Sequence, residues 1–98
     1  MSIHYIYILR CPDTRAVRYV GITTHPAIRE KEHCIYAINK PKTKVQCWLI
    51  ELRQQNKAPI FEVVESGERM GGRERMWIYF LHEAGADLLN VHMNKRTP

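Results

Sequence analysis

Two runs of β-branched and aromatic residues, Ile3 to Leu9 and Val17 to Ile22, lie on either side of the turn formers Cys11-Pro12-Asp13-Thr14-Arg15. No other feature restricts the fold as much, because two such runs joined by so short a connection pair as an antiparallel hairpin. In the first run Ile3, Tyr5, Tyr7 and Leu9 alternate with His4, Ile6 and Ile8, so the strand needs cover on both faces. A register that sets Arg10 opposite Ala16 places Tyr7 directly opposite Tyr19, with both rings on one face.

Helix, helix, strand and helix follow. Pro26 suits a first helical turn, and Ile28, Ile35 and Ile38 form a loose stripe through about Asn39. Lys40-Pro41-Lys42 ends that helix, and Val45, Trp48, Leu49 and Leu52 then recur at the spacing of a second, amphipathic one. After a break from Asn56 to Pro59, Ile60 to Glu65 reads as a third strand bounded by Gly67. Trp77, Ile78 and Leu81 mark a last helix that stops at Gly85, its start weakened by Gly71 and Gly72. The fold expected is α+β, a three-stranded antiparallel sheet flanked by helices in the order β-β-α-α-β-α.

A chain of 98 residues holds enough material for one modest core. One domain is expected over residues 1–92, with 93–98 as a C-terminal tail and neither repeats nor a linker. Hydrophobic residues at 45% and charged residues at 26% exclude wholesale disorder. Cys11, Cys34 and Cys47 are odd in number and form no CxxC pair, which fits a reducing, cytoplasmic compartment, and the scattered histidines offer no zinc set. The N-terminus lacks a basic region followed by a long apolar run, and no segment reaches eighteen consecutive apolar residues, so neither secretion nor a membrane span is expected. Fifteen Lys plus Arg against ten Asp plus Glu leave a net charge of +5, which suits a polyanionic partner and equally an ordinary basic surface.

Several residues could carry chemistry, each with a plainer explanation beside it. Tyr7 and Tyr19 pack well across a hairpin; a phenol near a metal or cation also loses its proton more readily and can orient or deprotonate a water. Gly21, two residues past Tyr19, would let a substrate backbone approach closely. Arg29 and His33 are four apart on one helical face, which is either solvated or able to address one anion together. Glu74 stands three, four and seven residues before Trp77, Ile78 and Leu81, on the stripe that should face the core. A carboxylate there needs an ion pair with Arg73, Arg75 or Arg29, a place in the first helical turn, or a hard cation such as Mg²⁺. Asn90, polar among apolar neighbours, is expected to hydrogen-bond nearby backbone. Lys40, Lys42 and Lys44 form a basic cluster that is either solvated or in contact with phosphate.

These signals fall in one order: Tyr5-Ile6-Tyr7, Tyr19-Val20-Gly21, Arg29 with His33, Glu74-Arg75-Met76-Trp77-Ile78, then Leu89-Asn90. In this arrangement the chain, from about Ile3 to Asn90, resembles the GIY-YIG nuclease family. The resemblance implies that Tyr7 and Tyr19 are paired active-site tyrosines, that Arg29 and His33 serve the same site from the first helix, and that Glu74 is the metal ligand. It also implies that Asn90 helps hold the site together. Tyr5 occupies the first motif's glycine position and Val20 the isoleucine position of the second, and no histidine stands between the first two helices, where Thr43 lies nearby.

The leading expectation is therefore a metal-dependent endonuclease that hydrolyses DNA with one Mg²⁺ or Mn²⁺ on Glu74. One water, assisted by a tyrosinate or His33, would attack a phosphate whose charge Arg29 balances. With no recognition domain attached, sequence selectivity would come from a DNA-binding partner protein or a homodimer. The rival readings are a nucleic-acid-binding module of the same fold that no longer cuts, and a protein-interaction domain whose basic surface is incidental.

Overall fold

A computed structural model describes residues 2–34 and 43–90. The elements are β1 (His4–Arg10), β2 (Val17–Thr23), α1 (Pro26–Cys34), α2 (Lys44–Gln54), β3 (Ile60–Gly67) and α3 (Gly71–Glu83). They follow the expected order. The helical stripe beyond Cys34, Lys40, Lys42 and the tail at 93–98 lie outside the described residues.

The three strands form one antiparallel sheet in the order β2-β1-β3. As the central strand, β1 has both faces covered: Ile6, Tyr7, Ile8 and Leu9 are all buried. On one face Tyr7 and Leu9 pack with Val45 and Leu49 of α2 and with Tyr19, Trp48, Phe61 and Leu89. On the other, Ile6, Ile8 and Val20 pack with Met70, Leu88 and Ile78 of α3. The apolar periodicities of α2 and α3 thus do what amphipathic stripes do, one on each side of the sheet.

The hairpin register differs from the expected one. Arg10 pairs with Val17, Leu9 with Tyr19, and Tyr7 with Gly21. Cys11 closes the turn by donating its N–H to the Ala16 carbonyl at 2.9 Å, and Arg15 takes a positive φ of 65° within it. Arg18 is then an extra residue, a bulge between the Leu9 and Arg10 pairs. Without it, the turn would pair Tyr19 with Ile8 and send its ring through to the α3 side; the bulge returns Tyr19 to the face of Tyr7.

α2 begins at Thr43, whose hydroxyl accepts the Gln46 N–H at 3.2 Å. α3 begins at Gly71 despite its two glycines, and it is fastened near its start by Glu65 of β3. One carboxylate oxygen of Glu65 accepts the Trp77 indole N–H at 2.8 Å, and the carboxylate pairs with Arg73 at 3.1 Å. On α1 the apolar expectation inverts: Ile28 is 55% exposed, whereas Arg29 and His33 are half-buried and turn toward the sheet.

Candidate active site

Tyr7 sits in the middle of the central strand, fully buried. Its ring stacks on Phe61 of β3, centroids 4.6 Å apart and planes 17° from parallel. Across the hairpin it lies over Gly21, where an added Cβ would collide with the phenol carbon and hydroxyl. What approaches Gly21 closely is therefore Tyr7 itself and not a substrate backbone. The missing side chain is the space in which the phenol lies.

Tyr19 is diagonal to Tyr7 rather than opposite it, with centroids 6.3 Å apart. His33 reaches over both from α1: its ring lies 5.6 Å from Tyr7 and 6.3 Å from Tyr19, and its Nε2 is 3.0 Å from the Tyr7 hydroxyl. Arg29, one helical turn earlier, pairs with Glu32 at 3.0 Å and favours the phenolate form of both tyrosines. The two α1 residues that sequence spacing placed on one face thus converge on the two phenols.

Electrostatics sharpens this arrangement. Burial raises the pKa of Tyr7 well above the usual phenol value; the neighbouring Tyr19 and Glu74 add to that rise, and the Arg29 guanidinium opposes it. Tyr19 is likewise raised, first by burial and then by the negative charge of Glu74. Burial, reinforced by Arg29, pushes His33 down to about 4. At neutral pH both phenols hold their protons and the imidazole is neutral. Glu74 of α3 is half-buried, and its negative charge raises both phenols.

Asn90 acts from outside the pocket. Its side chain accepts the Val20 N–H at 3.0 Å and donates to the Val20 carbonyl at 2.7 Å, replacing the neighbour strand that β2 lacks on its outer edge. Leu89 N–H donates to the Arg18 carbonyl at 2.6 Å, and Arg18 Nε donates to the Asp87 carbonyl at 3.0 Å. Bulge, tyrosine and glycine are thereby held from both sides of β2. Lys44 is exposed at the start of α2.

Phe61 was not legible as a site residue. It pairs with Leu9 and shares one face of β3 with Val63, the partner of Tyr7, and only the alternation of that strand hinted at it.

A family model described as the GIY-YIG catalytic domain matches residues 3–81, from the first strand into the last helix. The chain belongs to the GIY-YIG family. Tyr7, Gly21, Arg29, His33 and Glu74 all fall within the matched segment of this GIY-YIG domain, and Asn90 lies beyond it. Membership places the protein among nucleases in general terms. Neither a curated protein nor a solved structure matches the chain closely enough to refine that assignment.

Proposed function

We propose that this GIY-YIG domain is a metal-dependent endonuclease that hydrolyses phosphodiester bonds in DNA. The observation that carries the proposal is the joint approach of Tyr7, Tyr19, His33 and Arg29, within the electrostatic reach of Glu74.

Among the described residues no three His, Cys, Asp or Glu side chains gather to hold a metal. A single half-buried carboxylate fits a hard ion that takes its other oxygens from water and phosphate, as Mg²⁺ or Mn²⁺ does, and fits zinc poorly. Glu74 is the residue that would hold one such ion, which when bound supplies positive charge for the phosphate and makes a bound water more acidic. A cation there would also offset the charge that raises the pKa of Tyr19.

The chain's own groups account for the proton. Once substrate binding admits a water to the buried Tyr7 oxygen, that water gives its proton to the oxygen while Tyr7 passes its own proton to Nε2 of His33, and so becomes the nucleophile. The new P–O bond forms as the bond to the leaving oxygen breaks, and solvent protonates that oxygen. Arg29 balances the charge gathering on the phosphate, and the arriving anion raises His33 from its low resting value toward one suited to accepting a proton. Net positive charge and the exposed Lys44 support DNA as the substrate. Site selectivity would come from a DNA-binding partner or from dimerisation. No helix among the described residues is long and apolar enough to cross a membrane. The odd number of cysteines and the free thiols of Cys11 and Cys47 support a cytoplasmic location.

Supercoiled and branched DNA incubated with the purified protein and Mg²⁺ or Mn²⁺, beside Glu74→Gln, tests the proposal. Cleavage that needs the metal and the carboxylate supports it; salt-sensitive binding without cleavage would leave a binding module of the same fold.

A further inference from the structure

The last helix is apolar on both sides. Ile78 and Leu81 face the sheet, yet Met76, Tyr79 and Phe80 are 57%, 61% and 68% exposed. With Arg73, Arg75 and Trp77 they line a shallow groove of about 570 Å³ along the outer side of α3. Glu74 is two residues from Met76 and so projects from nearly the opposite side of the helix. Large aromatic side chains clustered in water mark a surface that binds something.

Charge identifies the occupant. Arg75 stands four residues before Tyr79 and Glu83 four residues after it, so opposite charges lie one turn on either side of the same aromatic ring. Neither takes part in an ion pair among the described residues, whereas neighbouring Arg73 is held by Glu65. A surface with its cation at one end and its anion at the other is complementary to itself when turned around. We infer that the Met76, Tyr79 and Phe80 face of α3 binds the same face of a second copy of this chain, antiparallel and two-fold about Tyr79, with Arg75 of each copy against Glu83 of the other. Two symmetric ion pairs then flank an aromatic centre, the usual anatomy of a specific interface. Residues 91–98 carry Lys95 and Arg96 and neither Asp nor Glu, so they offer Arg75 no carboxylate side chain; a polyanion would meet Glu83. The pairing leaves the side of α3 that bears Glu74 uncovered.

Sedimentation velocity over a wide range of protein concentration tests this, with circular dichroism to show that each variant is folded. A monomer–dimer equilibrium is expected, with Phe80→Glu weakening it by roughly thirtyfold or more, the scale of losing a central aromatic anchor. Arg75→Glu and Glu83→Arg should each weaken self-association. An equimolar mixture of the two should restore it as a heterodimer, because both ion pairs then reform with reversed sign. A chain that stays monomeric at every concentration overturns the inference. So does a dimer indifferent to Phe80→Glu, or single charge variants whose mixture associates no better than either alone.

Discussion

The Tyr7 hydroxyl and Nε2 of His33 are 3.0 Å apart, a hydrogen bond between the central strand and a helix 26 residues further along the chain. Burial acts on the partners in opposite senses, raising the phenol and lowering the imidazole to about 4, so the bond joins two neutral groups. If proton transfer runs along it, Tyr7→Phe lowers kcat by roughly 10²- to 10⁴-fold with little change in KM. The acid limb of kcat/KM, which reports the free enzyme, should fall near pH 4 rather than near the ordinary histidine value of 6.5. An acid limb at the ordinary value, or full turnover in Tyr7→Phe, would rule out the relay.

The same imidazole makes stability depend on pH. The unfolded chain takes up a proton on His33 near 6.5, and the folded chain only near 4. Between these values the unfolded state binds more protons, so this contribution is complete above about 6.5 and is lost as the pH falls toward 4. Urea midpoints measured across that window should fall more steeply for the native protein than for His33→Gln.

Gly21→Ala puts a methyl group where the Tyr7 ring lies. Backbone and ring cannot both stay in place, so the substitution should cost about 1–3 kcal/mol, the scale of an overpacked core, and should depress activity by displacing the phenol. The cost should shrink when Tyr7 is also replaced by alanine. A double-mutant cycle in chemical denaturation measures that coupling, and additive costs would mean the ring does not fill this space.

Glu74→Gln removes the charge that helps raise the Tyr19 phenol, so ultraviolet titration should show that phenol ionising at lower pH than in the native protein. Metal binding, followed by calorimetry, and metal-dependent cleavage should both disappear. A variant that still cuts would place the metal elsewhere.

Asn90→Ala leaves the buried N–H and carbonyl of Val20 without partners, and each orphaned group costs about 1–3 kcal/mol. Asn90→Asp keeps the acceptor for the N–H but sets a second carboxylate oxygen against the Val20 carbonyl in a buried place, so at neutral pH it should destabilise as well. Hydrogen exchange at the Val20 amide reports the loss directly, and unchanged protection in Asn90→Ala would contradict the role assigned here.

The elements themselves were readable because the apolar residues of β1, α2 and α3 repeat at the periods of strand and helix, and core burial is what those periods describe. Register was not. The extra residue at Arg18 has no signature in a run of β-branched and aromatic side chains, so counting outward from the turn set Tyr7 opposite Tyr19 when Gly21 holds that place. Spacing brought Arg29 to His33, and Glu74 to the inward stripe of α3, since both follow from helix geometry alone. It misjudged Ile28, because the inward face of α1 is occupied by polar residues gathered around the phenols. Nor could local pattern reveal the stacking of Phe61 on Tyr7 or the link from Asn90 to Val20, which join strands and segments far apart in sequence.

The stretch from Asp87 to Asn90 lies along the outer rim of β2 and occupies groups there that would otherwise recruit another strand. An open rim of that kind is a template for aggregation. Four residues outside the tyrosine pocket thus keep the sheet from growing at its β2 edge, and a chain shortened before Asp87 would be exposed to edge-to-edge pairing there before the loss of any chemistry mattered.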